Sequence, residues 1–243
     1  MQLTQKRLVI TGGTSGIGYE LVKQLHSDNE IIIIARNAEK LKKLKAEFNN
    51  VRICQADLSN LDEVEYLAAK LKKDYDRIDG IIHNAAIQNT PAFDDEAFDY
   101  KSIEKEITLN FTAICCLTSL LLPLLIHKER SFILNMGSGL GLVPKTASAV
   151  YSATKGAINI FSQSLRHQLA HHNIQVFQAL MPLVDTPMTH GRGQDKMTAA
   201  AAAREVIKGI KKEIPNHDIG KVKFLRLILR LWPKMAENIM KNA

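Results

Sequence analysis

The chain has 243 residues, 46% of them apolar and 23% charged, with 32 Lys and Arg against 25 Asp and Glu for a formal net charge of +7. That length and balance suit one large α/β domain and exclude a disordered, collagenous or disulfide-built chain. The basic excess points to anionic partners, a phosphate-bearing cofactor or an acidic lipid surface ahead of nucleic acid, for which no reading motif accompanies the charge.

Cys54, Cys115 and Cys116 make no disulfide framework and imply a reducing, cytoplasmic setting. Adjacent Cys115 and Cys116 in an apolar segment read as buried small hydrophobes. Met1 to Arg7 carries no signal-peptide pattern, and the apolar run 113–126 is too short for a bilayer span and contains Pro123. A soluble protein without a metal is the expectation.

Arg7 to Thr11 reads as a short strand that runs into Gly12-Gly13-Thr14-Ser15-Gly16-Ile17-Gly18, with a helical pattern from Tyr19 to His26. Strand, glycine-rich turn and helix together aim backbone N–H groups and a helix N-terminus at a phosphate. Gly12 suits the tight turn, Gly16 a close approach to a pyrophosphate, and Gly18 packing of the helix on the sheet. The spacing is G-x-x-x-G-x-G.

Glu30 to Ile34 holds four consecutive isoleucines, the mark of a parallel strand covered on both faces. It ends in Ala35-Arg36-Asn37, where NAD-binding folds carry a carboxylate for the ribose hydroxyls. None is present. Arg36 suits a 2′-phosphate instead, which favours NADP(H) over NAD(H); the alternative is a solvated Arg opening a basic helix with Lys40, Lys42, Lys43 and Lys45.

Val51 to Ala56 is a third strand. Asp57 at its end would accept from an adenine amino group or, like Ser59, cap the helix that runs to Lys73. Asp79 to His83 is the fourth strand, and Asn84 after it suits either tying two strands together or bonding a ribose. Asn89 to Glu106 reads as an acidic, aromatic loop with a short helical turn. A long helix follows to Ile126. Its Asn110 must be hydrogen-bonded inside an apolar stretch, to a backbone group or to an ordered water in a proton path.

Ser131 to Met136 is the fifth strand, leading into Gly137 and Ser138. The loop 139–148 is apolar at Leu140, Leu142, Val143 and Pro144, which together with the C-terminal tail suggests a largely hydrophobic substrate. Tyr151 and Lys155 then share one face of a helix that runs to about His171. A neighbouring ammonium lowers a phenol's pKa from near 10 toward working pH, and Ser138 would add a hydroxyl beside it. Ile174 to Leu180 is the sixth strand, Pro182 to Thr186 follows, and Thr198 to Lys211 reads as a further helix. In the basic amphipathic segment 221–234, Lys223, Arg226, Arg230 and Lys234 form one cationic stripe. Residues 221–243 are expected to form a subunit interface or a lid over the substrate pocket, or else to meet an anionic membrane reversibly.

The order β-α-β-α-β-α-β-α-β-α-β argues for a single domain over 1–243. Its fold class is α/β, a doubly wound parallel sheet of the Rossmann type in three αβα layers, with the switch point beside Gly12 and Asn84.

Taken together, Thr11 to Gly18, Asp57, Asn84-Ala85, Asn110, Ser138 and Tyr151-Ser152-Ala153-Thr154-Lys155 resemble the compact branch of the short-chain dehydrogenase/reductase family, over roughly residues 6–190. Arg166-His167-Gln168-Leu169 and Val184-Asp185-Thr186 are similar to bacterial members associated with the D-alanylation operon. The resemblance implies an NADP(H)-dependent oxidoreductase, a homodimer or homotetramer, acting on a small carbonyl or alcohol. It implies Tyr151 as general acid/base, Ser138 bonding the reacting oxygen, Lys155 on the nicotinamide ribose and Asn110 positioning a relay water. It assigns phosphate and ribose to Gly12, Thr14, Ser15, Gly16 and Ile17, adenine to Asp57 and Leu58, ribose to Asn84 and Ala85, and the nicotinamide amide to Pro182, Val184 and Thr186, with Arg36 selecting NADPH. The chain departs from the family pattern with His83-Asn84-Ala85-Ala86 for Asn-Asn-Ala-Gly, with Pro182-Leu183 for Pro-Gly, and with no basic residue at Ser15. Two alternatives stand beside this reading: a cofactor-binding sensor without turnover, and an enzyme using the same groups for dehydration or epimerisation.

Overall fold

A computed structural model of the chain describes residues 1–48 and 50–241. The first half runs β1 (Arg7–Thr11), α1 (Gly16–Leu25), β2 (Glu30–Ala35), α2 (Ala38–Glu47), β3 (Val51–Gln55), α3 (Leu61–Asp74) and β4 (Gly80–His83). The second half begins with α4 (Lys101–Ile107), α5 (Ala113–Leu125), β5 (Ser131–Ser138), α6 (Ala149–Gln168) and β6 (Ile174–Met181). It closes with β7 (Val184–Asp185), β8 (Met197–Thr198), α7 (Ala199–Lys211), β9 (Asn216–Asp218), α8 (Val222–Leu231) and α9 (Pro233–Lys241).

Seven strands form a parallel sheet in the order β3-β2-β1-β4-β5-β6-β9. The winding reverses between β1 and β4, and the carboxyl ends of these neighbours open the crevice where such sheets bind ligands. The isoleucines of β2 explain the two-sided core. Ile31 and Ile33 pack with Leu8, Ile10 and Leu21 on one face, while Ile32 and Ile34 pack with Val9, Val64 and Leu71 on the other. The fold is the expected doubly wound Rossmann sheet.

α4, a π turn at Thr108–Thr112 and α5 join into one 25-residue helix, Lys101–Leu125. It starts inside the stretch expected to be loop, and by length and composition alone it would reach across a bilayer. Packing accounts for its apolar character: Leu117, Leu121 and Leu125 are buried with Leu67 and Leu71 of α3. Cys115 and Cys116, expected to be buried, are half-buried, and both are free thiols with Cys54.

Residues 221–234 do not form one helix. Pro233 lacks an N–H and disfavours helical geometry at the residue before it, so α8 stops at Leu231, Trp232 turns (φ −140°, ψ 71°), and α9 starts afresh. Arg226 leaves the expected stripe because its guanidinium grips both carboxylate oxygens of Asp218, Nη2 to Oδ1 at 2.8 Å. Leu225 of α8 and Ala236 of α9 are buried against Val143, which fastens this hairpin to the loop before α6. The last two residues of the 221–243 segment lie outside the described residues.

Candidate active site

The turn after β1 is tight enough that side chains would obstruct it. A Cβ on Gly16, which has φ +56°, would stand 3.0 Å from Thr186 Cγ2, closing the gap between the turn and the segment after β6. A Cβ on Gly18 would fall 2.3 Å from the Gly12 carbonyl oxygen and 2.5 Å from Asn84 Nδ2. Gly18 therefore lets α1 sit close over the ends of β1 and β4, in keeping with the expected packing of the helix on the sheet. Ser15 makes no side-chain cap, so the first N–H groups of α1 face the gap.

Asn84 Nδ2 donates to the carbonyls of Thr11 at 3.0 Å and Gly12 at 3.2 Å, while Thr11 Oγ1 accepts from the N–H groups of Asn84 and Ala85, each at 3.0 Å. The amide nitrogen of Asn84 thus ties β4 to β1. Asp57 accepts from Ser59 N at 2.9 Å and Ser59 Oγ at 2.7 Å. Burial raises this carboxyl, but those bonds and nearby Arg36 outweigh it and hold the group below its ordinary value. Neither Asp57 nor Ser59 caps α3; Asn60 does, accepting from Asp62 N at 3.0 Å.

α6 begins after Ser148, a buried residue in left-handed geometry (φ 62°) whose hydroxyl accepts from Gln88 Nε2 at 3.1 Å. Lys155, only 4% exposed, donates from Nζ to the Met136 carbonyl at 2.8 Å and lies 5.5 Å from the centroid of the Tyr151 ring. Burial pushes the ammonium down to about 8. Ser138 Oγ accepts from Leu140 N at 3.1 Å and meets the Tyr151 phenol, leaving a proton to donate. Burial drives the phenol up to about 12; the Ser138 bond and Arg192 oppose this, and buried Glu106 adds to it. The expected lowering of the phenol by Lys155 is absent in this state, because burial dominates and the ammonium is turned onto a carbonyl of β5.

Asn110 sits in the π turn, fully buried, a place where such turns often mark function. Its Oδ1 accepts from Ile87 N at 2.9 Å, and its Nδ2 donates to Ile87 O at 2.9 Å and Thr154 Oγ1 at 3.3 Å. The side chain therefore pins the segment after Asn84 to α6, and both its donors are occupied by protein.

One cleft of about 910 Å³ gathers Gly12, Thr14, Ser15, Gly16, Ile17, Arg36, Asp57, Leu58, Asn84, Ala85, Ser138, Tyr151, Lys155, Pro182, Val184 and Thr186. Asn110 alone of the nominated residues does not line it.

The profile of the short chain dehydrogenase family matches residues 6–197. The chain belongs to that family. The oxidoreductase DltE of Bacillus subtilis (strain 168) is 34% identical over 197 residues, 81% of this chain and 78% of that one, in line with the resemblance to members of the D-alanylation operon. A short chain dehydrogenase from Burkholderia cenocepacia J2315, solved in complex with NADP, has a TM-score of 0.88 at 21% identity over 99% of each chain. The 3-ketoacyl-(acyl-carrier-protein) reductase of Brucella melitensis, complexed with NADH, has a TM-score of 0.82 at 19% identity over 90% of this chain and 98% of that one. The protein is an NAD(P)-dependent oxidoreductase.

A dinucleotide fits the residues of this dehydrogenase. The missing Cβ of Gly16 leaves a passage beside Thr186, the uncapped start of α1 opens onto it, and Arg36 and Lys40 line the far end. Of the departures from the family pattern, that at His83 is explained by packing, whereas Leu183 is exposed and lines the cleft. His83 is a buried core residue, its Nε2 3.0 Å from Thr118 Oγ1, and burial pushes it down to about 3, so it is neutral. Leu183 occupies the space beside Gly193, where a Cβ would lie 2.3 Å from Leu183 Cδ2.

Sequence reasoning missed Lys145 and Arg192, which line the same cleft, Arg192 near enough to Tyr151 to oppose the rise of its phenol. Burial, and then the Arg192 charge, lower Lys145, and neither cation forms an ion pair with a carboxylate among the described residues. The available signal was Gly191-Arg192-Gly193, an Arg carried on a glycine-flanked loop. The C-terminal segment lines the same cleft, as its expected role of lid over the pocket requires: Val222, Leu225, Ile228 and Met240 give it an apolar wall.

Proposed function

We propose that the enzyme interconverts a carbonyl and a secondary alcohol, uses NADP(H) in preference to NAD(H), and takes a substrate with an apolar body and an anionic group. The observation that carries this reading is the convergence of Ser138, Tyr151 and Lys155 on one cleft with the Gly12–Gly18 turn. When bound, the nicotinamide supplies or accepts the hydride. The chain's own residues orient the substrate and move the proton.

Ser138, its lone pair engaged by Leu140 N, donates to the substrate oxygen and holds it beside the phenol. Tyr151, with a pKa of about 12, is protonated at neutral pH and acts as the general acid of reduction, giving its hydroxyl proton to the oxygen as hydride arrives at carbon. Lys155 holds the ribose side of the cleft and stabilises the phenolate left behind. Arg36, exposed at the end of β2, would pair with a 2′-phosphate. The substrate's apolar body would lie along the α8–α9 wall and its anionic group toward Lys145 and Arg192.

The test is Tyr151→Phe assayed by NADPH oxidation against a panel of ketones and aldehydes. Turnover should fall by about 10²–10⁴, with NADPH affinity retained. Parental activity in that variant would reject the mechanism.

A further inference from the structure

The α8–α9 hairpin has two apolar faces; the cleft takes the inner one and reaches only Phe224 and Ile239 of the exposed apolar residues on the outer one. Helical spacing puts Val222 and Leu225 inward and Phe224, Leu227 and Leu231 on the opposite side. Phe224 is 69% exposed and Trp232, at the break between the helices, 57%. On α9, Met235 and Ile239 are also exposed apolar residues, on the side next to buried Ala236. Lys223 and Arg230 run along one flank of α8, and Lys234 stands where α9 begins. No Asp or Glu occurs from Ile219 to Ala236, and Arg230 and Lys234 form no ion pair among the described residues. We propose that this outer face docks the enzyme on an anionic lipid bilayer, with the mouth of the cleft turned toward the membrane surface.

Charge decides between lipid and a second copy of the chain. A twofold contact that packs two α8 helices antiparallel through this face would set the Lys223–Arg230 flanks of both copies on the same side of an apolar centre, with no carboxylate from Ile219 to Ala236 to answer them, in a chain already at +7. Like charges brought together at an interface disfavour it. An anionic bilayer accepts the apolar side chains and neutralises the basic flank in one event. Trp232 also suits the headgroup level. A nucleic acid would satisfy the charge but leave Leu227, Leu231 and Met235 in water.

The orientation follows from Phe224 and Ile239, which are exposed and also line the cleft. These two residues therefore belong both to the exposed apolar surface and to the wall of the cleft. Docking there would hand an amphipathic carbonyl compound from the bilayer to Tyr151. That last step rests on the proposed reaction; the docking does not.

The full chain is tested by co-sedimentation with vesicles of phosphatidylcholine alone and of phosphatidylcholine with phosphatidylglycerol. Binding is expected only with phosphatidylglycerol, weakening as salt rises. At about 1 kcal/mol for each basic contact, Arg230→Gln with Lys234→Gln should cut partitioning at least tenfold. Leu227→Ser with Leu231→Ser should abolish it. All four side chains are exposed, and thermal melting checks that each variant is folded. Tyr151→Phe should bind vesicles like the parent, which separates this test from that of the reaction. Absence of binding to the anionic vesicles, or binding indifferent to both pairs of changes, overturns the proposal. So does a concentration-dependent dimer in light scattering that Leu227→Ser with Leu231→Ser dissolves and vesicles do not compete away.

Discussion

Lys155 Nζ donates to the Met136 carbonyl at 2.8 Å, which anchors the middle of α6 to the strand that delivers Ser138. The bond holds a nearly buried ammonium 5.5 Å from the centre of the Tyr151 ring. Because burial lowers this group to about 8, it is a cation at pH 7 and loses its proton just above. Tyr151, near 12, stays protonated over the same range. NADPH affinity and the rate of reduction should therefore hold level up to about pH 8 and decline beyond it. Lys155→Met should be slow and should lack that decline. Fluorescence titration and initial rates across the range check both, and a decline that survives in Lys155→Met would assign the titration to another group.

His83 makes a separate prediction, for stability. Its folded-state value is about 3 against 6.5 for the free side chain. Between those limits the unfolded chain binds a proton that the folded chain refuses. The contribution is complete above pH 6.5 and is lost as pH falls toward 3, a total on the order of 5 kcal/mol. His83→Asn removes the titrating group and keeps a polar side chain near Thr118. Its urea midpoint should depend less on pH across that window than the parent's. Parallel curves for the two proteins would show that His83 does not set the acid limit.

Period-two and apolar-run patterns located each long strand because burial on two faces leaves an unbroken signature, as in Ile31 to Ile34. β9 escaped because Asn216-His217-Asp218 is a three-residue polar edge strand whose place is fixed by β6. β7 and β8 escaped for a similar reason: each has two residues, and their pairing closes the loop 186–196. At the site, residue types in family order were legible, whereas their tasks depended on unseen neighbours. Asn110 reads from sequence as bonded either to a backbone group or to a water; the structure gives the first, its amide taken up by the Ile87 backbone and by Thr154, which the β4 turn and α6 bring to it. Arg226 reads as part of a cationic stripe, yet Asp218, eight residues earlier, claims it. Lys145 and Arg192 meet only because two loops fold over the same cleft.

Arg36 bears on cofactor choice. It is exposed at the end of β2, beside the cleft, with Lys40 one turn further on. A charge-assisted bond to a 2′-phosphate is worth about 1.5–3 kcal/mol. Arg36→Ala should therefore weaken NADPH binding roughly ten- to hundredfold and leave NADH binding near its parental value. Equal parental affinities for the two dinucleotides would remove Arg36 from this role.

Lys145 and Arg192 test the proposed substrate class. Arg192 is engaged by the Met188 carbonyl, and Lys145, half-buried, has no hydrogen bond among the described residues. Two cations on the wall of one cleft repel, and the Arg192 charge already lowers Lys145. An anion between them would relieve the repulsion and replace part of the lost solvation. A keto acid should therefore be preferred to its methyl ester through KM. Arg192→Gln should raise KM for the acid about tenfold, leave the ester's KM near parental, and leave NADPH affinity unchanged. Lys145→Gln should act in the same direction. If Arg192→Gln instead weakened NADPH binding and treated acid and ester alike, Arg192 would serve the cofactor's phosphates, and the anionic group would be struck from the substrate.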